Sequence, residues 1–398
     1  MRLILKDGRE RALARRHPWI LSGAVDRVEG APVAGDVLVV QAANGARLAV
    51  AAWSPQSQIR GRVLSFDAAV RIDEAFVRAR ISAAIAARRL WPGLSQANGG
   101  ERLVHAEADG LPGVIVDRYA DTVVIQLLTA WADRQRDVIA GALVAATGCA
   151  RVYERSDADV RALEGLDPRA GVVSGDEPPE CVVIAEPGTP DRRYGIDVRT
   201  GQKTGFFLDQ RDNRTLVAAL AGGRDVLDAF CYSGGFAIAA ATGGAKSVLA
   251  IDSSAAALGA ARANATIDPR CGGIEWREAD VFAELRRLRD RGSRFDLIVL
   301  DPPKLAPTAK HVERASRAYK DANLLGFKLL RPGGLLVTFS CSGGVGPELF
   351  QKIVAGAALD AGVDAQVLRS LGASPDHLVA LAFPESAYLK GLVCRVAA

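Results

Sequence analysis

No apolar run in this 398-residue chain approaches the roughly 18–20 residues needed to cross a bilayer as a helix, so no membrane partner is expected. The opening segment, MRLILKDGRERALARRHPWI, is charged throughout and has no signal-peptide core, which makes the cytoplasm the expected location. Six cysteines, at positions 149, 181, 231, 271, 341 and 394, form no C-x-x-C pair and have no clustered histidines. That spacing argues against a zinc site and a disulfide framework, and no metal is expected. Also missing is the G-x-G-x-x-G fingerprint that cradles the pyrophosphate of a dinucleotide.

What is present is a composition with ample core, 49% hydrophobic and 24% charged, at a length that suggests two or three domains. The net charge of +4 is concentrated at one end. Residues 1–67 hold ten Lys or Arg and six acids, so the remainder is balanced. A basic leading module points to a polyanionic partner. Residues 1–70 read as β-rich, with short strands at Asp36–Gln41, Arg47–Trp53 and Ile59–Leu64 separated by glycine turns. In it Arg16, His17 and Trp19 can grip phosphate and stack on a base. Residues 71–190 read as an α+β middle domain, a packing and substrate-shaping part with no catalytic set.

From residue 191 the pattern is that of a doubly wound α/β domain. Asp225 to Asp252 reads as strand, glycine turn, Ala-rich helix and second strand ending in an acid. The turn Cys231-Tyr232-Ser233-Gly234-Gly235 lets backbone approach a ligand, and Asp252 can accept ribose hydroxyls. A nucleoside without a diphosphate fits better than NAD, which makes S-adenosylmethionine the candidate. Upstream, TGQKTGFFLDQRDNR reads as a loop reaching over the ligand. Phe206 and Phe207 anchor it, Gln210, Arg211 and Asn213 meet an amino-acid moiety, and Asp209 is a candidate helix cap. Asp280 is expected at a strand end facing the adenine amine. His377–Phe383 and Leu389–Val396 are expected to pair as a closing antiparallel hairpin.

Two strand ends carry the chemistry. FDLIVL runs into Asp301-Pro302-Pro303-Lys304, a stiff tip whose acceptors suit the exocyclic amine of a base. The next strand runs into Ser340-Cys341-Ser342, and neighbouring strand ends open onto one crevice. A thiolate adding to carbon 6 of a pyrimidine makes carbon 5 nucleophilic, a step that exocyclic-amine methylation does not need.

RRHPWILSGAV, TGFFLDQRDNR, DAFCYSGGFAIAAA, DPPK and TFSCSGG together resemble the PUA-containing class I methyltransferases that make 5-methylcytosine in 23S ribosomal RNA, over essentially the whole chain. The resemblance implies a mostly parallel seven-stranded sheet ending in an antiparallel hairpin, an S-adenosylmethionine cofactor, a large-subunit ribosomal RNA partner and a homodimer. It makes Cys341 the nucleophile, with Asp301 at the target base. The candidate cofactor set is Gln210, Arg211, Asn213, Asp228, Tyr232, Ser233, Gly234, Gly235, Asp252, Asp280 and Asp301. The candidate RNA set is Arg16, His17, Trp19, Pro302, Pro303 and Lys304. Many RNA cytosine-5 enzymes carry Pro-Cys after the fourth strand, whereas here Pro302-Pro303 stands there, which leaves the group that releases product unassigned. Two alternatives remain, methylation of an exocyclic amine through Asp301-Pro302-Pro303 and a non-catalytic RNA-binding assembly factor.

Overall fold

The computed structural model describes residues 1–186, 189–306 and 311–397. The chain divides into two compact units. One contains Met1–Gly188, Gly195–Leu208 and Pro375–Ser386, and the other Thr189–Tyr194, Asp209–Ser374 and Ala387–Ala398.

The first unit holds two sheets. Its six-stranded sheet has the order Trp19–Leu21, Ile59–Ser65, Arg47–Trp53, Val37–Gln41, Arg2–Leu5, Val25–Glu29. Alternation sets the face that is buried, as in Val37–Gln41, where Leu38 and Val40 point to the core. The turn before Arg47 needs a left-handed residue, and Gly45 supplies it at φ 86°. The second sheet has five strands, Gly100–His105, Val114–Tyr119, Thr122–Leu127, Arg151–Ser156 and Arg169–Ser174. Against it lies the helix Glu74–Arg89, which opens on an Asp73 cap accepting from the Phe76 amide and buries Val77, Ile81 and Ile85.

The segment after residue 195 is tied into this unit. Thr204 donates to Asp117, and Arg155 donates to the carbonyls of Val198 and Gly201. Residues 375–386 are held there too. Asp376 accepts the Arg102 amide at 3.0 Å, and Phe383 meets Trp19 edge-on at 4.8 Å between centroids.

The second unit is built on a seven-stranded sheet in the order Ile274–Glu278, Ser247–Asp252, Asp225–Ala229, Phe295–Leu300, Leu330–Ser340, Lys390–Val396, Ala365–Gly372. The first five strands are parallel, and the last two pairings are antiparallel. Central strands are covered on both faces, so Val226, Leu227, Leu297 and Ile298 are fully buried and read as continuous apolar runs. The closing hairpin is present with a different partner. Lys390–Val396 pairs with Ala365–Gly372, not with residues 377–383. The partner strand AQVLRSLG is an edge with almost every side chain exposed, so it lacks an apolar signature. Residues 377–383 belong to the first unit instead, where Phe383 is buried while Val379 and Leu381 are exposed. No helix among the described residues is long and apolar enough to cross a membrane.

Candidate active site

The strand order reverses between Asp225–Ala229 and Phe295–Leu300, and ligands of open α/β sheets sit beyond the C-terminal ends at such a switch. The turn leaving Asp225–Ala229 is wound tightly. Phe230, Tyr232 and Gly234 all have positive φ, at 66°, 47° and 82°. Two of these are not glycine, a cost that accompanies functional turns. Asp252, at the tip of the next strand, organises the turn. Its Oδ2 accepts the Tyr232 amide and its Oδ1 the Ser254 amide, both at 2.9 Å. A carboxylate has about four acceptor directions, so both oxygens can still receive ribose hydroxyls. Asn264 donates to the Ser233 carbonyl, and the Tyr194 hydroxyl donates to the Gly235 carbonyl at 3.1 Å. A Cβ at Gly234 would lie 2.7 Å from the Trp276 ring, so this position is closed to side chains.

The residues fit an amino-acid nucleoside. Both carboxylate oxygens of Asp228 and the Ser233 hydroxyl are buried with no partner at hydrogen-bond geometry. Native interiors usually pair such atoms, and a bound ligand can complete them here. Burial pushes the Asp228 carboxyl up to about 8, with the Asp301 and Asp252 charges adding to the rise and the Ala237 amide opposing it. An ammonium group, as on the methionine part of S-adenosylmethionine, would satisfy it.

The expected cofactor loop is drawn inward. Gln210, Arg211 and Asn213 are each at most 4% exposed. Gln210 Nε2 donates to Asp301 Oδ2 at 2.9 Å, and Asn213 Nδ2 donates to Gln210 Oε1 at 2.6 Å. Asp209 does not cap the helix Arg211–Ala221, whose N-cap is Gln210 without a side-chain bond. Its carboxylate accepts the Tyr388 hydroxyl instead, and its carbonyl accepts the Ser374 amide. Asp280 lies past the end of Ile274–Glu278 and caps the helix Val281–Asp290, accepting the Ala283 amide at 2.8 Å. It is exposed, with one oxygen committed to that cap.

Cys341 follows Leu330–Ser340, the neighbour of Phe295–Leu300, and the pairing of Leu300 with Thr338 sets Asp301 and Cys341 beyond adjacent strand ends. Cys341 is half-buried, whereas Cys149, Cys231, Cys271 and Cys394 are buried and Cys181 is exposed. Burial pushes the Cys231, Cys271 and Cys394 thiols up, which makes them inert. The turn around Cys341 is bound to Ala306, two residues past the Asp-Pro-Pro-Lys segment. Ser342 Oγ accepts the Ala306 amide at 3.0 Å and meets the Tyr319 hydroxyl at 3.0 Å. Pro302 is buried, while Pro303 and Lys304 are exposed.

Sequence reasoning did not find Lys390. Only 8% exposed, it donates from Nζ to the carbonyls of Ser342 and Val345, both at 2.7 Å. A lone Lys heading the otherwise apolar run GLVC was the available signal, since buried lysines are rare.

In the other unit His17 and Trp19 stay together, their rings edge to face at 5.9 Å between centroids, while Arg16 turns away to Phe66. Trp19 is half-buried. Its Nε1 donates to Glu107 at 2.9 Å, and His17 Nε2 lies 3.2 Å from Glu385. Arg16 is exposed, with its guanidinium 5.0 Å from the Phe66 ring centroid. Arg9, Arg11 and Arg15 are exposed beside it, and among the described residues none of these four has a carboxylate partner. No cluster of three potential metal ligands occurs among the described residues.

The S-adenosylmethionine-dependent methyltransferase family matches residues 143–369, and a PUA-like domain matches residues 3–66. The chain is 48% identical to Ribosomal RNA large subunit methyltransferase I of Aeromonas hydrophila over 99% of its own length and 98% of the relative's. It is 47% identical to the protein of the same name from Shewanella frigidimarina, over 100% and 99%. Its fold is shared with a methyltransferase of Streptococcus mutans, at TM-score 0.84, 22% identity and full coverage of both chains. A methyltransferase structure solved with SAH matches at TM-score 0.85, 22% identity and full coverage.

Proposed function

The chain belongs to the S-adenosylmethionine-dependent methyltransferases and carries a PUA-like domain, and from that premise we propose that it methylates carbon 5 of a cytosine in large-subunit ribosomal RNA through a transient bond from Cys341. The observation that carries this reading is the position of Cys341, half-exposed at the strand end next to that of Asp301 and followed by Ser342, which holds the Ala306 amide just past the Asp-Pro-Pro-Lys segment. A cysteine serving only as packing has no reason to stand there.

Bound S-adenosylmethionine supplies the methyl group. Asp228 and Ser233 hold its amino-acid end together with Gln210, Arg211 and Asn213. Asp252 and the turn Tyr232–Gly235 hold its ribose, and Asp280 offers its remaining oxygen to the adenine. The Cys341 thiolate would add to carbon 6 of the cytosine, and the ring electrons move to carbon 5, which takes the methyl group as the methyl–sulfur bond breaks and leaves a neutral thioether. The carbon-5 proton then leaves to solvent, and the thiolate is expelled as the 5,6 double bond reforms. Asp301 orients the base, held by Gln210, while Pro302, Pro303 and Lys304 border it. The base must leave its stack to reach this crevice.

Residues 1–70 form the RNA-binding part in this reading, residues 71–190 shape access, and residues 191–398 do the chemistry. The exposed Arg9, Arg11, Arg15 and Arg16 give the first part its phosphate contacts. The test is the product. Ribosomal RNA methylated by the purified chain is digested to nucleosides and analysed by mass spectrometry. 5-Methylcytidine is expected, and an N-methylated adenosine or guanosine would replace this reading with exocyclic-amine chemistry.

A further inference from the structure

We propose that Lys390 is a positioning residue for Cys341, which clamps the turn carrying the thiol and holds a positive charge beside it at neutral pH. The inference rests on Cys341 being the nucleophile.

Lys390 opens the strand Lys390–Val396 and pairs directly with Ser340, the residue before the cysteine. Its ammonium donates to the Ser342 and Val345 carbonyls, which bracket the turn just after Cys341. Among the described residues it has no carboxylate partner, although it is buried. Burying an unpaired cation is costly, and two carbonyls alone can be tied by a neutral donor. The charge is therefore surplus to the clamp, and it needs another use.

The groups that face it supply one. Cys341 lies on the clamped turn, Lys304 comes from the Asp-Pro-Pro-Lys segment, and the Tyr319 hydroxyl reaches Ser342 from the helix Val312–Leu329. Burial brings Lys390 down to about 8, with Lys304 lowering it further and the cysteine raising it. It is mostly protonated at neutral pH, and two cations then favour the thiolate over the thiol against the opposing Asp301 carboxylate at the adjacent strand end. Should Lys390 lose its proton, the two remaining N–H groups still hold both carbonyls, so the clamp persists while the charge is lost.

The experiment follows iodoacetamide alkylation of Cys341 by peptide mass spectrometry, from about pH 5.5 to 9.5, in the parent, Lys390→Met and Lys390→Arg. SAH binding by calorimetry checks that each variant is folded. The Cys341 profile in the parent is expected to titrate below the ordinary thiol value of about 8.5. In Lys390→Met it moves up by at least about one pH unit, roughly tenfold slower alkylation at neutral pH, while Lys390→Arg stays closer to the parent. The kcat for methyl transfer falls in the Met variant, with the KM for RNA little changed. A parent thiol titrating at or above about 8.5, or a Met variant that titrates with the parent, overturns the proposal. The alkylation readout does not depend on methyl transfer. If Cys341→Ala still methylates RNA, the nucleophile reading fails separately from the coupling of Lys390 to the thiol.

Discussion

Gln210 Nε2 donates to Asp301 Oδ2 at 2.9 Å, which joins the segment leading into the helix Arg211–Ala221 to the end of the strand Phe295–Leu300. Asn213 fixes the orientation of this amide by donating to Gln210 Oε1. Asp301 is thus set by a neutral donor that is itself set by a third residue. Gln210→Ala is expected to slow single-turnover methyl transfer about 10- to 100-fold, because small displacements of an orienting group are costly in rate. Gln210→Glu places two carboxylates in contact, so its defect should be larger and should ease as pH is lowered.

Asp228 gives a pH-dependent prediction. Its carboxyl is raised from an ordinary 3.8 to about 8 by burial. Between those values the folded chain binds a proton that the unfolded chain has released, so this group's contribution to stability falls as pH rises from about 4 to 8. Ligand-free Asp228→Asn should melt higher than the parent near pH 8.5, and the advantage should shrink as pH falls and disappear only near pH 4. The same variant should bind SAH more weakly by calorimetry, because the charge that meets the ammonium is gone.

The N-terminal candidates separate by role. Trp19 is locked by Glu107 and Phe383, so Trp19→Ala should destabilise by about 3 kcal/mol or more, read by thermal melting. Arg15→Glu with Arg16→Glu should leave the melt unchanged, weaken RNA binding across sequences and flatten its salt dependence.

Gly234 is needed for conformation and for space. Its φ is 82°, and an added Cβ would stand 2.7 Å from the Trp276 ring, so Gly234→Ala should cost about 1–3 kcal/mol. SAH affinity should fall with it, measured on protein shown to be folded.

Much of the methyltransferase unit could be read from the chain because its central strands are buried on both faces and its turns use chemically distinct residues. Val226–Ala229, the glycine turn and Asp252 announce themselves in this way. The closing hairpin did not. Its edge strand is exposed and polar, and a more apolar stretch nearby, residues 377–383, belongs to the other unit. Asp209 and Asp280 show the limit of capping arguments, since an acid before a helix can cap it or be taken by a distant hydroxyl such as that of Tyr388. What Lys390 binds was invisible for a related reason. Its partners are backbone carbonyls 45 and 48 residues away, which leave no mark on side-chain pattern.

The most direct test of the central claim is covalent trapping. The parent and Cys341→Ala are each given S-adenosylmethionine and ribosomal RNA containing 5-fluorocytidine, then resolved on a denaturing gel. Fluorine at carbon 5 blocks the final elimination, so attack at carbon 6 leaves a stable protein–RNA adduct. A band in the parent that is absent from the variant is the predicted result. No adduct in either, with methyl transfer retained by Cys341→Ala, would contradict the account.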